Sequence, residues 1–279
     1  MGSDPISFLD AQGTRHAPAG PGARIACLVP SITELVCALG LTDRLVARTG
    51  FCIYPRAALA EVPKVGGTKD LNIARLRELA PTHAIVNIDE NRKPDAQELA
   101  RFIPHLIVTH PQGPEDNPVL YRLIGGIFGA TAAAESLCRD FEAAWREASA
   151  ACAALPRERV LYLIWKDPWM GVARDTYISR TLAAVGWDTL PAQAERRYPD
   201  LTLDALPAGT ARVLLSSEPY SFTARHAEDL AHRFPATSVN LIDGEMTSWY
   251  GPRAIAGFRY LARLRQSLAN QGDARVSNP

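Results

Sequence analysis

The chain has no surplus of either charge: 30 basic side chains stand against 30 acidic ones in 279 residues. No basic tract stands out, so charge gives no reason to expect a nucleic acid or an anionic membrane surface as partner. No stretch reaches the roughly 20 consecutive apolar residues that a membrane span requires. Cysteine is scarce and odd in number, at Cys27, Cys37, Cys52, Cys138 and Cys152, without a CxxC pair or close histidines. That argues against a disulfide framework and against zinc, and leaves the thiols as small core residues. Catalytic signatures are missing as well. There is no GxSxG elbow, no GxxxxGKS or GxxxxGKT loop, no HExxH, and no GxGxxG after the first strand. The first two dozen residues hold no basic segment followed by an apolar one, so the chain as written reads as cytoplasmic. A native start further upstream would make it periplasmic or cell-surface instead.

What is present is an ordinary folded composition, 47% hydrophobic and 22% charged, long enough for one large domain or two lobes. Pro and Gly crowd residues 18–22, so residues 1–23 are expected to be a flexible tail. From Arg24 the pattern alternates. RIACLV, RLVART, HAIVNI and HLIVTH read as strands. ITELVCALG, IARLREL and DAQELARF read as helices, with Ser31 or Thr33 capping the first and Asn72 the second. Such alternation predicts an α/β lobe with a parallel sheet flanked by helices, over 24–116. Residues 117–155 read as connector helices. The longest runs about 25 residues without Gly or Pro and has Leu137, Phe141, Ala144, Trp145 and Ala148 near helical spacing. A second α/β lobe follows over 156–270, and 271–279 reads as a C-terminal tail.

Ligands of parallel sheets lie outside the carboxyl ends of the strands, so the residues that follow each strand are the candidates. They are unusually aromatic: Phe51, Tyr54, Trp165, Trp169, Tyr220, Phe222, Trp249 and Tyr250. Turns are usually small and polar, so two indoles in YLIWKDPWM require a reason. Interleaved with the rings are Ser31, Lys69, Asp89, Glu90, Asn91, Lys166, Glu218 and Glu245. A surface of rings with a few polar anchors suits a bulky, flat, amphipathic guest. The plainer reading is that some rings only pack the lobes, as expected of Trp145 and Trp187.

The histidines offer little chemistry. His83 and His105 lead into strands, away from the candidate rim. His110 leaves a strand but has no evident nucleophile beside it, and His226 and His232 are six apart on one helix. Asp89, Glu90, Glu218 and Glu245 could serve as an acid/base pair or simply as anchors. The reading adopted is a non-enzymatic receptor with no required cofactor and no protein-held metal. The alternative is a cytoplasmic enzyme, or a salvage or sensor protein, acting on the same kind of ligand.

The segments RIACLVPSITELVCALGLTDRLVARTGFCIYP and PKVGGTKDLNIARLRELAPTHAIV resemble the substrate-binding proteins that deliver cobalamin and ferric siderophores to ABC importers. RVLYLIWKDPWMGVARDTYISRTLAAVGW, RYPDLTLDAL, SSEPYSF and DGEMTSWYGPRAIAGFRYL are similar to their helical backbone metal receptor subgroup. The resemblance covers about Arg24 to Leu268. It implies two α/β lobes joined by one long backbone helix, as in class III substrate-binding proteins. It also implies a metal-chelate ligand, either a corrinoid such as cobalamin, a ferric siderophore or haem, held in the inter-lobe cleft. The positions it implies are Ser31, Tyr54, Lys69, the Asp89–Asn91 loop, Trp165, Trp169, Tyr198 and Trp249. Exported members carry one docking glutamate per lobe for the importer's membrane subunits. Ala74 and Asp204 stand at those positions here.

Overall fold

The structure, a computed structural model, describes residues 8–276, with side chains to residue 270. Two compact units emerge. One takes the chain to Pro111, Glu115–Asp140 and Tyr250–Pro252; the other takes Gln112–Pro114, Phe141–Trp249 and the chain from Arg253 on.

The first unit contains β1 (Phe8–Leu9), β2 (Arg15–His16), β3 (Ile25–Cys27), α1 (Pro30–Ala38) and β4 (Leu45–Arg48). After these come α2 (Ile73–Leu79), β5 (His83–Asn87), α3 (Lys93–Leu99), β6 (His105–Thr109) and α4 (Asn117–Ile127). Strands β3 to β6 form a parallel sheet in the order β4-β3-β5-β6. Central strands β3 and β5 are buried along their whole length, which only a sheet covered on both faces allows. Ala26, Ala84, Val86 and Val108 build the core with Leu76 of α2 and Leu99 of α3. Asn72 caps α2 as expected, accepting from Arg75 N at 2.9 Å. The cap expected at Ser31 or Thr33 is corrected. Pro30 opens α1 without a side-chain cap, and Thr33 Oγ1 donates back to Val29 O at 2.9 Å.

The expected tail over 1–23 is also corrected where the structure describes it; residues 1–7 lie outside the described residues. From Phe8 the chain forms the antiparallel pair β1–β2. Asp10 anchors it: Oδ1 accepts from Gln12 N and Thr14 N, and Oδ2 faces His16 Nε2 at 3.1 Å and accepts from Val108 N at 3.0 Å. Ala11 N donates to Val108 O at 2.9 Å, so the hairpin covers backbone groups of edge strand β6. One buried carboxylate with four partners outweighs the looseness that Pro and Gly suggest.

Helix α5 (Thr131–Cys152) runs from the first unit into the second. Phe141, Ala144, Ala148 and Cys152 are buried along it, and Trp145 stacks on Phe258 at 5.9 Å.

The second unit contains β7 (Glu158–Trp165), β8 (Trp169–Gly171), α6 (Tyr177–Ala183), β9 (Trp187–Leu190) and β10 (Asp200–Leu201). It continues with β11 (Arg212–Ser216), α7 (Ala224–Arg233), β12 (Ser238–Ile242), α8 (Gly244–Ser248) and α9 (Arg253–Val276). The six strands follow the order β10-β8-β7-β11-β12, with β9 parallel to the first half of β7. Strands β7, β11 and β12 are parallel, while β8 turns back against β7 and β10 against β8. The expected tail at 271–279 is in fact helical through Val276, and residues 277–279 lie outside the described residues. All five cysteines are free thiols, and four are buried.

Candidate functional site

In each unit the chain steps from one side of its first strand to the other. In the first unit β3 is flanked by β4 and β5; in the second, β7 is flanked by β9 and β11. Loops leaving the carboxyl ends on either side of such a step diverge and open a crevice. The candidate residues fall mainly there.

In the second unit the step brings rings together. Trp165 ends β7 and Trp169 opens β8, joined through Asp167 in the left-handed region (φ 61) and a cis Asp167–Pro168 bond. Tyr220 N donates to Ile164 O at 3.3 Å, which pins the loop after β11 beside the end of β7. Trp165 then meets Tyr220 edge-on at 5.6 Å, Tyr220 lies 4.7 Å from Phe222, and Trp169 stacks on Phe222 at 6.0 Å. Trp165 stays exposed at 39%, whereas Phe222 is buried. Lys166 holds its ammonium 6.0 Å from the Trp169 ring. Beyond Phe222 a hollow of about 260 Å³ opens between Leu215, Leu241, Asp243 and Tyr260. Sequence reasoning set His226 aside, yet it belongs to this cluster. Its ring meets Tyr220 and Phe222 edge-on at 5.6 and 5.5 Å, with Nε2 3.3 Å from Tyr220 Oη. Only the turn from Phe222 into α7 hinted at that.

Glu218 and Trp249 form a second group on this unit. Glu218 Oε1 accepts from Trp249 Nε1 at 2.8 Å and from Ser248 Oγ at 2.6 Å. Arg253 covers the Trp249 ring at 4.7 Å and pairs with Glu245 at 2.7 Å. Burial pushes the Glu218 carboxyl above the ordinary glutamate range, against the lowering by Ser248 and Trp249 and helped by the charge of Asp243. Tyr198 is half-buried just before β10. Pro199 O accepts from Gly171 N and Leu201 pairs with Trp169, so Tyr198 lies three residues further down this ladder than Trp169's partner, roughly 10 Å along the strand.

In the first unit Phe51 is 63% exposed, with Ile53 and Ile88 also exposed and Tyr54 half-buried. Ile53 and Ile88 were missed because single apolar loop residues carry no pattern. Lys69 Nζ donates to Asp89 O at 2.7 Å, and His110 Nε2 lies 3.5 Å from Asp89 Oδ2. Glu90 shares that turn, whose shape comes from Asn87 Oδ1 accepting from Asp89 N and Glu90 N. Three of the expected contact residues are buried. Asn91 is buried and spent on the fold: it accepts from Asn87 N and donates to Leu28 O and Thr68 O, tying together the loops after β3 and β5. Ser31 is buried in the first turn of α1, and Tyr250 is buried too. Ala74 is exposed in the first turn of α2, and Asp204 is exposed 3.4 Å from Arg233.

Two α/β units, a long helix passing from one to the other, and rings gathered at a strand-order step define a class of ligand receptor. The chain belongs to the periplasmic binding protein family, whose model matches residues 25–236. Among its relatives is the vitamin B12-binding protein of Vibrio parahaemolyticus, 23% identical over 207 residues, 74% of this chain and 72% of the relative. Among solved structures, the periplasmic vitamin B12-binding protein BtuF of Vibrio cholerae superposes with a TM-score of 0.76 at 18% identity, covering 88% of this chain and 98% of that one. The periplasmic heme-binding protein RhuT from Roseiflexus sp. RS-1, in apo form, gives 0.75 at 20% identity, covering 89% and 99%.

Proposed function

We propose that this protein captures a flat, ring-built metal chelate, a corrinoid or a haem, and that it acts as the receptor of an ABC importer. The observation that carries the reading is the Trp165–Tyr220–Phe222–Trp169 cluster at the strand-order step of the second unit. An exposed indole backed by further rings offers a large apolar face at little conformational cost. Phe51, Ile53 and Ile88 supply apolar surface on the rim of the first unit, with Tyr54, Lys69 and the Asp89–Glu90 turn as polar anchors. Relatives named for vitamin B12 and heme support the ligand class. Their periplasmic names support export, and the cytoplasmic expectation is not carried forward. The alternative of an enzyme or salvage factor gains nothing from these relatives, which are named as binding proteins.

Absorbance titration with cyanocobalamin, haem and a ferric hydroxamate tests the reading. Saturable spectral change with cyanocobalamin or haem, weakened in Trp165→Ala, is expected; a response to the ferric hydroxamate alone, or to none of them, contradicts it. For the importer, the expected result is ligand-dependent association with the membrane subunits despite Ala74 and Asp204. Failure to associate in detergent or nanodiscs would leave a stand-alone chelate binder.

A further inference from the structure

We infer that Glu218 is a positioning residue whose ionised carboxylate fixes the Trp249 indole on the rim, so that the placement of this ring follows pH. The inference deepens the receptor reading and rests on it only where ligand is concerned.

The geometry is specific. A single oxygen, Oε1, accepts from both Trp249 Nε1 and Ser248 Oγ, so one carboxylate holds two consecutive residues at the end of α8. Gly244 brings that turn against the loop after β11, because a Cβ there would meet Ser216 Oγ and Glu218 Cγ. Ser216 Oγ donates to Glu218 O at 2.7 Å, and Tyr162 Oη lies 3.0 Å from Ser216 Oγ, which anchors the Glu218 backbone from β7 and β11. The indole is therefore fixed at its nitrogen by Glu218 and covered on one face by Arg253. The groups that face the carboxylate are unequal. Asp243 opposes its charge and Arg253 favours it, but Arg253 is already paired with Glu245, while Tyr162 is held neutral by burial. Protonation turns Glu218 from a double acceptor into a weaker one and releases its hold on the ring.

The test is the indole N–H resonance of Trp249 in ¹⁵N-labelled protein, identified as the one signal lost in Trp249→Phe and followed from neutral to acid pH. Expected is a shift whose midpoint lies above the ordinary glutamate value of 4.5 and that vanishes in the isosteric Glu218→Gln variant. Affinity for cyanocobalamin or haem should fall roughly tenfold through the same transition, the worth of a hydrogen bond to a charged group. Glu218→Gln should bind at the weaker level without that transition. A Trp249 signal that does not move, or that still titrates in Glu218→Gln, overturns the inference. If neither chelate binds the wild type at neutral pH, the receptor reading fails while the resonance still decides whether Glu218 positions the ring.

Discussion

Trp165 and Trp169 stand four residues apart and carry different loads. Trp165 ends a strand with its ring 39% exposed, whereas Trp169 lies flat on buried Phe222 beside the core of the second unit. Trp165→Ala should therefore weaken chelate binding by about 1–3 kcal/mol while leaving stability within about 0.5 kcal/mol. Trp169→Ala should cost about 2 kcal/mol of stability as well. Urea unfolding run beside the absorbance titration separates the two; equal stability losses would refute the division. Acid sensitivity belongs to His83. Burial, then the charges of His105 and His16, push its pKa from 6.5 down to about 4, and its ring stacks on His105 at 4.6 Å. A proton taken up by the unfolded chain is thus refused by the folded one. Stability is complete above pH 6.5 and is lost as pH falls from there towards 4. Melting temperature measured over that window should fall in the wild type and fall less in His83→Gln. The rings were legible at this scale because indoles on a turn contradict turn composition. The burial of Asn91 was not legible, because loop polarity does not reveal which amides are buried and satisfied.

Strand and helix order was readable where apolar runs were long, as in RVLYLI or HAIVNI, and where Asn72 supplied a cap. Short pairs carried no period. β1, β2 and β10 have two residues each and β8 has three, so the N-terminal hairpin and the β8–β10 ladder were invisible. Two elements give direct tests. Asp10→Ala should free the hairpin from β6 at a cost of about 3 kcal/mol, because buried donors lose their acceptor. Limited proteolysis should then cut between residues 11 and 23, where the wild type resists; unchanged resistance would show that Phe8, packed over Gly126, suffices. Gly244→Ala should destabilise by about 1–3 kcal/mol, since the added methyl drives into Ser216 and Glu218. Denaturant midpoints decide it, and a neutral result would mean that the two loops yield freely.

For the molecule as a whole, two α/β units and a continuous helix through Asp140–Phe141 were foreseeable from alternation and from a long run without Gly or Pro. The identity of the guest is not encoded in that architecture, which serves B12-named and heme-named relatives alike. On the reading proposed above, it is decided by rings and anchors at the carboxyl ends of the strands. The central claim is therefore tested by equilibrium titration of the purified full chain with cyanocobalamin and with haem, read by ligand absorbance and by tryptophan quenching. Saturation at one chelate per chain, with quenching reduced when Trp165 is replaced by alanine, is the predicted outcome. Absorbance and fluorescence that stay unchanged with both chelates, in protein shown to be folded, would contradict it.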